Sequence, residues 1–116
     1  MTAEDVLQRN PRFLTRSKSY DSFIVVGPAI VVPENPIDFD DLTVQTVIND
    51  EVRAENRVEN MLFSPAELVS FHSEIMTFKP GDLISTGTPG AWPIEPGDDV
   101  RTVVESIGSV SAPVVR

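Results

Sequence analysis

Short runs of aliphatic and β-branched residues, separated by turn-forming residues, make up most of the chain. The clearest run is 42–48 (LTVQTVI), in which apolar and polar positions alternate as they do in a half-buried strand. Asn49 and Asp50 follow, and both residue types tolerate positive φ; the strand-like pattern then resumes at 51–54. This arrangement predicts a β-hairpin closed by a type I′ turn.

Further strands are predicted on both sides of this hairpin. Residues 23–32 are rich in Ile and Val but are broken by Gly-Pro, which indicates two short strands or one bent strand. Residues 83–86 form a short apolar strand, and 100–106 and 110–115 form an antiparallel pair that Gly108 separates. The chain is therefore expected to contain six or seven strands.

One helix is clearly predicted, over residues 64–76. Ser64 and Glu67 have the spacing of a capping box, and Pro65 occupies the first helical position, where its missing N–H has no consequence. Five residues recur on one helical face: Leu68, Phe71, His72, Ile75 and Met76. A shorter helix is predicted near the N-terminus, through Gln8 and ending before Pro11.

These elements predict a fold that is mainly β, of the α+β class, with one clear helix near 64–76. A doubly wound parallel sheet is not expected, because helices do not follow the successive strands. The 116 residues suit one domain, 1–116, with a modest core. No apolar run approaches the roughly 20 residues that span a bilayer, no signal peptide is recognisable, and cysteine is absent, so a cytoplasmic protein is expected.

Charge narrows the classes of partner. Eighteen acidic residues against nine basic ones give a net charge of −9, which argues against nucleic-acid binding because phosphate neutralisation needs a basic surface. An acidic surface with few lysines also suits a protein that works in high salt, where self-repulsion is screened. An ordinary acidic cytosolic protein is the alternative.

Residues 86–90 (TGTPG) are the strongest candidate for a ligand-binding loop. Gly87 lets the backbone approach a ligand closely, Thr88 adds a hydroxyl, and successive N–H groups in such a loop can form an anion-binding concavity. A glycine-rich turn between strands is the simpler interpretation. Pro-Gly-Asp occurs on both sides of this loop, at 80–82 and 96–98, which indicates two turns of similar chemistry rather than a duplication.

Other candidate residues are few. Lys18, one of only two lysines, precedes the apolar run at 23–32 and could bind a carboxylate or stabilise an enolate; a solvated lysine is the alternative. His72 is the only histidine and suits a structural role, so a multi-histidine metal site is excluded. Two groups of acidic residues lack the spacing of a recognised metal loop: Glu4, Asp5 and Asp21, and Asp38, Asp40 and Asp41.

Taken in order, several segments resemble the fumarylacetoacetate hydrolase family, and the resemblance covers essentially the whole chain. The segments are RSKSYDSF at 16–23, Gly27-Pro28, Asn49-Asp50-Glu51, NMLFS at 60–64, MTFKPGD at 76–82, TGTP at 86–89 and the closing Ile107-Gly108 turn. The resemblance implies a mixed β-sandwich roll of the type found in the C-terminal part of that family's catalytic domain.

The resemblance also implies a chemistry. Members of the family act on 2-oxo, 1,3-dicarbonyl or dienoic acids by C–C hydrolysis, decarboxylation or isomerisation, and a divalent cation (usually Mg²⁺, with Mn²⁺ or Ca²⁺ as alternatives) stabilises an enolate. By position, Lys18 matches the family lysine that contacts substrate or metal-bound water. Thr88, with Gly87, matches the loop that holds the substrate carboxylate, and Gln8 matches a glutamine that lines the pocket.

The chain also departs from the family pattern. The Glu-x-Glu pair and the following aspartate that bind the metal are absent, as are the upstream His and Glu, and the aspartate would precede Met1 by one position. Residues 90–93 (GAWP) form a shorter loop than in relatives. We therefore expect the C-terminal portion of a catalytic domain, inactive alone, with no metal ligands within it, in a homodimeric parent enzyme that takes a small 2-oxo or dicarboxylic acid. The alternative is a non-catalytic β-domain that serves dimerisation or ligand binding.

Overall fold

A computed structural model describes residues 1–35 and 37–115. Helices and strands are numbered in chain order: α1 (Glu4–Arg9), α2 (Leu14–Lys18), β1 (Thr43–Ile48), β2 (Glu51–Arg57), α3 (Pro65–Ser73), β3 (Asp99–Val104) and β4 (Gly108–Pro113). Two 3₁₀ turns, Pro11–Phe13 and Val58–Asn60, precede α2 and follow β2. No helix in the described ranges has the length and apolar character needed to cross a bilayer.

The four strands form one antiparallel sheet in the order β2-β1-β3-β4. Strand β1 lies inside the sheet and holds two of the most buried side chains, Val47 and Ile48, each 4% exposed. The predicted α+β fold is confirmed. The predicted strands at 42–48, 51–54, 100–106 and 110–115 are also confirmed, with bounds shifted by one to three residues.

The β1–β2 turn has the conformation that its sequence predicts. Asn49 and Asp50 have φ values of +51° and +64°, as a type I′ turn requires at both central positions. The strand pairing shifts after Thr46, which lies opposite Ala54, because the next pair joins Val47 to Val52. Arg53 is therefore the extra residue of a β-bulge, a feature that redirects a side chain away from the regular sheet pattern.

The two Pro-Gly-Asp turns have the same geometry. Asp82 accepts a hydrogen bond from the backbone N–H of Lys79 at 2.8 Å, and Asp98 accepts one from Glu95 at 2.8 Å. The central glycines have φ values of +98° and +106°, which a residue with a Cβ adopts only with strain. The prediction of two turns with similar chemistry is confirmed.

Helix α3 begins as predicted but is shorter than 64–76. The Ser64 Oγ accepts from the Glu67 N–H, and the Glu67 carboxylate accepts from the Ser64 N–H at 2.8 Å, which completes the capping box. The helix ends at Ser73. The predicted apolar face is not buried: Phe71 is 60% exposed and Ile75, beyond the helix end, is 69% exposed.

Two predicted strand regions do not form strands. Residues 23–32 and 83–86 belong to no sheet, so the described residues have four strands rather than six or seven. Their β-branched composition suits a strand, but strand formation also needs a hydrogen-bonding neighbour, which local sequence cannot supply. Residues 23–25 and Ser85 from these runs line, together with β3 and β4, the cavity described below.

Candidate active site

Lys18 is the last residue of α2, and the residue before it anchors the backbone in the interior of the molecule. The preceding Ser17 is completely buried: its Oγ donates to the Leu14 carbonyl at 2.8 Å, and its own carbonyl accepts from the Ala3 N–H at 2.8 Å. The Lys18 Nζ donates to the Thr2 Oγ1 at 2.9 Å. Neither Ser17 nor Thr2 was predicted as a site residue. The only sequence signal for Ser17 was its small size between the two long basic residues Arg16 and Lys18.

Lys18 and Gly87 line the same cavity, which has a volume of about 480 Å³. Strands β3 and β4 line one part of it, and residues 23–25, Ser85 and Gly87 line it from loops outside the sheet. The other lining residues are mostly apolar: Met1, Phe23, Ile24, Val25, Ser85, Val100, Thr102, Val110, Ser111, Ala112, Pro113 and Val114. The fold thus brings together two residues that lie 69 positions apart in the sequence.

None of the residues known to line the cavity is an aspartate or a glutamate, and Lys18 is the one basic residue among them. An anion that enters this cavity therefore meets positive charge without a carboxylate to repel it.

The 86–90 loop turns at Gly87, whose φ of +129° lies in a region that residues with a side chain rarely adopt. Gly87 also lines a second cavity of about 150 Å³, and Thr88 lines this smaller cavity rather than the larger one. The Thr88 Oγ1 donates to the Gly90 carbonyl at 3.1 Å. Gly87 is therefore the residue that joins the two cavities.

Two contacts hold this loop against β2. A Cβ on Gly90 would lie 3.2 Å from the Cβ of Ala54, which leaves little space between loop and strand. The Arg53 guanidinium lies 5.3 Å from the centre of the Trp92 ring, within the range of a cation–π interaction. The bulge at Arg53 accounts for this contact, and sequence reasoning missed it because strand register cannot be read from local composition.

Two other candidates lie apart from the Lys18 cavity. Gln8 is exposed on α1 and is not among the residues that line the Lys18 cavity or the smaller cavity at Gly87. His72 is half-buried on α3, and its ring packs edge-on against Phe71 with 5.3 Å between ring centres. The structure therefore places Lys18 and Gly87 in one cavity, Thr88 beside it, and Gln8 and His72 elsewhere.

The described residues do not form a metal site of their own. Over 1–35 and 37–115, no three His, Cys, Asp or Glu side chains come together in a group able to hold a metal ion. The acidic candidates have other contacts: Asp5 pairs with Arg9 at 3.3 Å, and Asp38 accepts from the Asp40 N–H at 3.1 Å. The donor set of a Mg²⁺ site, several oxygen ligands around one point, is therefore not provided by these residues.

Comparison with known proteins identifies the family. The model of the fumarylacetoacetate hydrolase C-terminal domain matches residues 1–115. Protein Rv2993c of Mycobacterium tuberculosis is 44% identical over 117 residues, which cover 100% of this chain and 44% of that protein. The chain therefore spans less than half the length of this relative.

Solved structures agree. The 5-carboxymethyl-2-hydroxymuconate delta-isomerase of Mycobacterium smegmatis superposes with a TM-score of 0.89 at 40% identity, over 99% of this chain and 45% of that one. The maleylpyruvate hydrolase of Sphingobium sp. SYK-6, in complex with manganese(II) ion and pyruvate, superposes with a TM-score of 0.80 at 33% identity, over 86% and 38%. This chain belongs to the fumarylacetoacetate hydrolase family.

Proposed function

We propose that this chain supplies the Lys18 and Gly87–Thr88 part of the active site of a divalent-metal-dependent enzyme. The substrate is a small 2-oxo, 1,3-dicarbonyl or dienoic acid, and the reaction is C–C hydrolysis, decarboxylation or isomerisation through an enolate. One observation carries the proposal: Lys18 and Gly87 border a single cavity whose known lining includes no carboxylate side chain. The family to which the chain belongs contains both hydrolases and isomerases.

The chemistry of the cavity suits such a substrate. Each proposed reaction places negative charge on oxygen atoms, both the substrate carboxylate and the developing enolate. An ammonium group at the edge of a mostly apolar cavity stabilises that charge because its position is set before the substrate binds. We assign this role to Lys18, whose position is set by buried Ser17.

We assign the binding of the substrate carboxylate to the Gly87–Thr88 loop. The absence of a Cβ at Gly87 opens the backbone to close approach, and the Thr88 hydroxyl can turn from the Gly90 carbonyl, to which it now donates at 3.1 Å, toward an oxygen of the substrate. Gln8 is proposed as a pocket residue only by its match to the family pattern, since it lines neither the Lys18 cavity nor the smaller cavity at Gly87.

Because the described residues lack a metal-binding cluster, we place the ligands of the cation in a part of the parent enzyme outside this chain. When bound, Mg²⁺, or Mn²⁺ or Ca²⁺ in its place, would supply Lewis-acid stabilisation of the enolate. The 116-residue chain alone is then expected to bind Mg²⁺ only weakly and to be inactive. Isothermal titration of this chain with MgCl₂ tests that expectation, and tight binding would overturn it.

The experiment that tests the proposed function uses the native protein from its source. Its intact mass is measured first, and the protein is then assayed on acylpyruvates, oxaloacetate and dienoic diacids with and without Mg²⁺. A mass well above 12.7 kDa, together with turnover that EDTA removes, is the expected result. A mass equal to that of this chain and no turnover of any of these acids would contradict the proposal.

That second result would favour a non-catalytic β-domain that serves dimerisation or ligand binding. The observation on its side is the exposure of large apolar side chains, including Ile24 at 80% and Val32 at 82%. Surfaces of this kind mark contacts with other polypeptides in soluble proteins. Sedimentation equilibrium of the native protein separates a monomer from the homodimer that both proposals allow.

A further inference from the structure

The side chains of Thr2 and Lys18 meet beside a backbone hydrogen bond of a buried residue. The Ala3 N–H donates to the carbonyl of Ser17 at 2.8 Å, and Ser17 is completely buried. Thr2 precedes Ala3 and Lys18 follows Ser17, so the side-chain pair is adjacent to this bond along both stretches of chain. The Lys18 Nζ donates to the Thr2 Oγ1 at 2.9 Å. The contact between the two side chains is therefore built on backbone that is already anchored.

The backbone next to Thr2 is also held on its other side. Ala3 is the N-cap of α1, and its carbonyl accepts from the N–H groups of Val6 and Leu7 at 3.2 Å each. Val6 is 7% exposed and belongs to the buried core. Threonine is branched at Cβ and has few χ1 rotamers, so the position of the Thr2 Oγ1 follows closely from that of its backbone.

Lysine benefits from a partner of this kind. Its ammonium group stands on a flexible four-carbon stem, whereas the stabilisation of a developing charge depends on a group whose position is set in advance. An ammonium group has three hydrogen-bond donors, and a threonine hydroxyl has lone pairs that accept one of them. The bond to Thr2 therefore holds the Lys18 ammonium and leaves two of its donors for a ligand.

The partner of Lys18 is uncharged, which preserves the charge of the ammonium group. A carboxylate in the place of the Thr2 hydroxyl would hold the ammonium but would also cancel its positive charge. The salt bridges in the part of the chain that the structure describes are formed by arginines, and Lys18 takes part in none of them. Thr2 thus fixes the ammonium and leaves its charge available to an anion.

We propose that Thr2 is a positioning residue, which holds the Lys18 ammonium at the edge of the Lys18 cavity for the stabilisation of the enolate. The inference rests on the proposed function, because it needs Lys18 to act on the substrate. Thr2 is not among the residues that line the cavity, so it acts only through Lys18. The substrate carboxylate is assigned to the Gly87–Thr88 loop, and loss of the Thr2 hydroxyl should therefore affect kcat more than KM.

The test measures kcat and KM of the full parent enzyme with Mg²⁺. The substrate is the acylpyruvate, oxaloacetate or dienoic diacid that the enzyme turns over fastest. Thr2→Val keeps the branched shape but removes the hydroxyl, and it should lower kcat about tenfold and change KM by less than twofold. Thr2→Ala also lacks the hydroxyl and should give the same loss. Thr2→Ser retains the hydroxyl and should stay within about threefold of the unmodified enzyme.

Thr15→Val is the matched control. Thr15 is exposed on α2, the helix that ends at Lys18, and it is not among the residues that line the cavity. The same loss of a threonine hydroxyl should there leave kcat within about twofold. All these variants should keep the melting temperature of the unmodified enzyme, because the altered side chains are exposed.

A double variant separates positioning from an independent structural role. Lys18→Met alone should lower kcat by about 100-fold or more. If Thr2 acts through Lys18, the variant Lys18→Met/Thr2→Val should be no more than about twofold slower than Lys18→Met. Independent contributions would instead multiply, and the double variant would then be about tenfold slower than Lys18→Met.

The outcomes distinguish this inference from the proposed function. A loss in Thr2→Val that Thr2→Ser restores, and that disappears in the Lys18→Met background, would support the inference. Unchanged kcat in Thr2→Val beside a large loss in Lys18→Met would overturn the inference and leave the proposed function intact. Losses that multiply in the double variant would do the same. Full activity of Lys18→Met, or no turnover of these acids by the unmodified enzyme, would overturn both.

Discussion

Gly90 packs directly on Ala54 of β2, and this contact fixes the height of the 86–90 loop above the sheet. A Cβ added at Gly90 would lie 3.2 Å from the Ala54 Cβ, closer than ordinary van der Waals contact. The neighbouring Trp92 lies under the guanidinium of Arg53, at 5.3 Å. The loop that carries Gly87 and Thr88 is therefore positioned by the strand of a hairpin that is distant in sequence.

Gly90→Ala should lift the loop from β2 and destabilise the chain by about 1 kcal/mol, the cost of modest overpacking. Trp92 is the only tryptophan, so its emission maximum reports the displacement and should move to longer wavelength. The double variant Gly90→Ala/Ala54→Gly removes the clash and should restore the emission of the unmodified chain. An unchanged spectrum in the single variant would show that the contact does not set the loop position.

Gly87→Ala should destabilise the chain by about 1–3 kcal/mol through backbone strain alone, because φ is +129° and an added Cβ meets no atom within 4 Å. Gly27→Ala is the matched control: the added Cβ would lie 3.9 Å from the Val110 Cβ, an ordinary contact. Urea unfolding of both variants measures the difference. Equal stability of the two would mean that the Gly87 conformation is not required.

Asp98 should contribute to the acid sensitivity of the fold. Its pKa is lowered by the hydrogen bond from the Glu95 N–H and then by that from the Asn49 Nδ2, at 2.8 Å each. Because the folded pKa lies below the unfolded one, the stabilisation is complete above the unfolded pKa and is lost as pH falls through the folded pKa.

Part of the stability lost between about pH 5 and pH 2 should therefore no longer be lost in the variant Asp98→Asn. Melting temperatures of both proteins at a series of pH values measure this difference. Asp82→Asn is the control, because Asp82 accepts the equivalent turn hydrogen bond from the Lys79 N–H but, among the described residues, accepts none from an asparagine. A larger change in the Asp82 variant than in the Asp98 variant would contradict the assignment.

The net charge of −9 predicts a response to salt. If the chain is adapted to high salt, its melting temperature should rise between low salt and molar KCl, because screening reduces repulsion among the acidic side chains. Potassium chloride is preferred to sulfate salts, which strengthen apolar burial by another mechanism. A melting temperature that does not rise would contradict a halophilic origin.

Local chemistry was predictable where a few neighbouring residues determine the backbone. The Asn49-Asp50 turn, the Ser64–Glu67 capping box and the two Pro-Gly-Asp turns all formed as their sequences indicate. Each depends on the φ preferences or hydrogen-bonding groups of residues within four positions of one another.

Features that depend on distant residues were not predictable. The runs at 23–32 and 83–86 have strand composition, yet no strand among the described residues pairs with them. The bulge that directs Arg53 toward Trp92 depends on strand register. Lys18 and Gly87 were singled out from the sequence and the family resemblance, but only the fold places them on one cavity.

The most direct test of the central claim is the effect of Lys18→Met on the turnover of a 2-oxo acid by the full parent enzyme. Arg12→Met is the matched control, because Arg12 is exposed and is not among the residues that line the Lys18 cavity. The account predicts that Lys18→Met lowers kcat by about 100-fold or more and that Arg12→Met leaves it within twofold. Equal activity of the two variants would contradict the assignment of the Lys18 cavity as the active site.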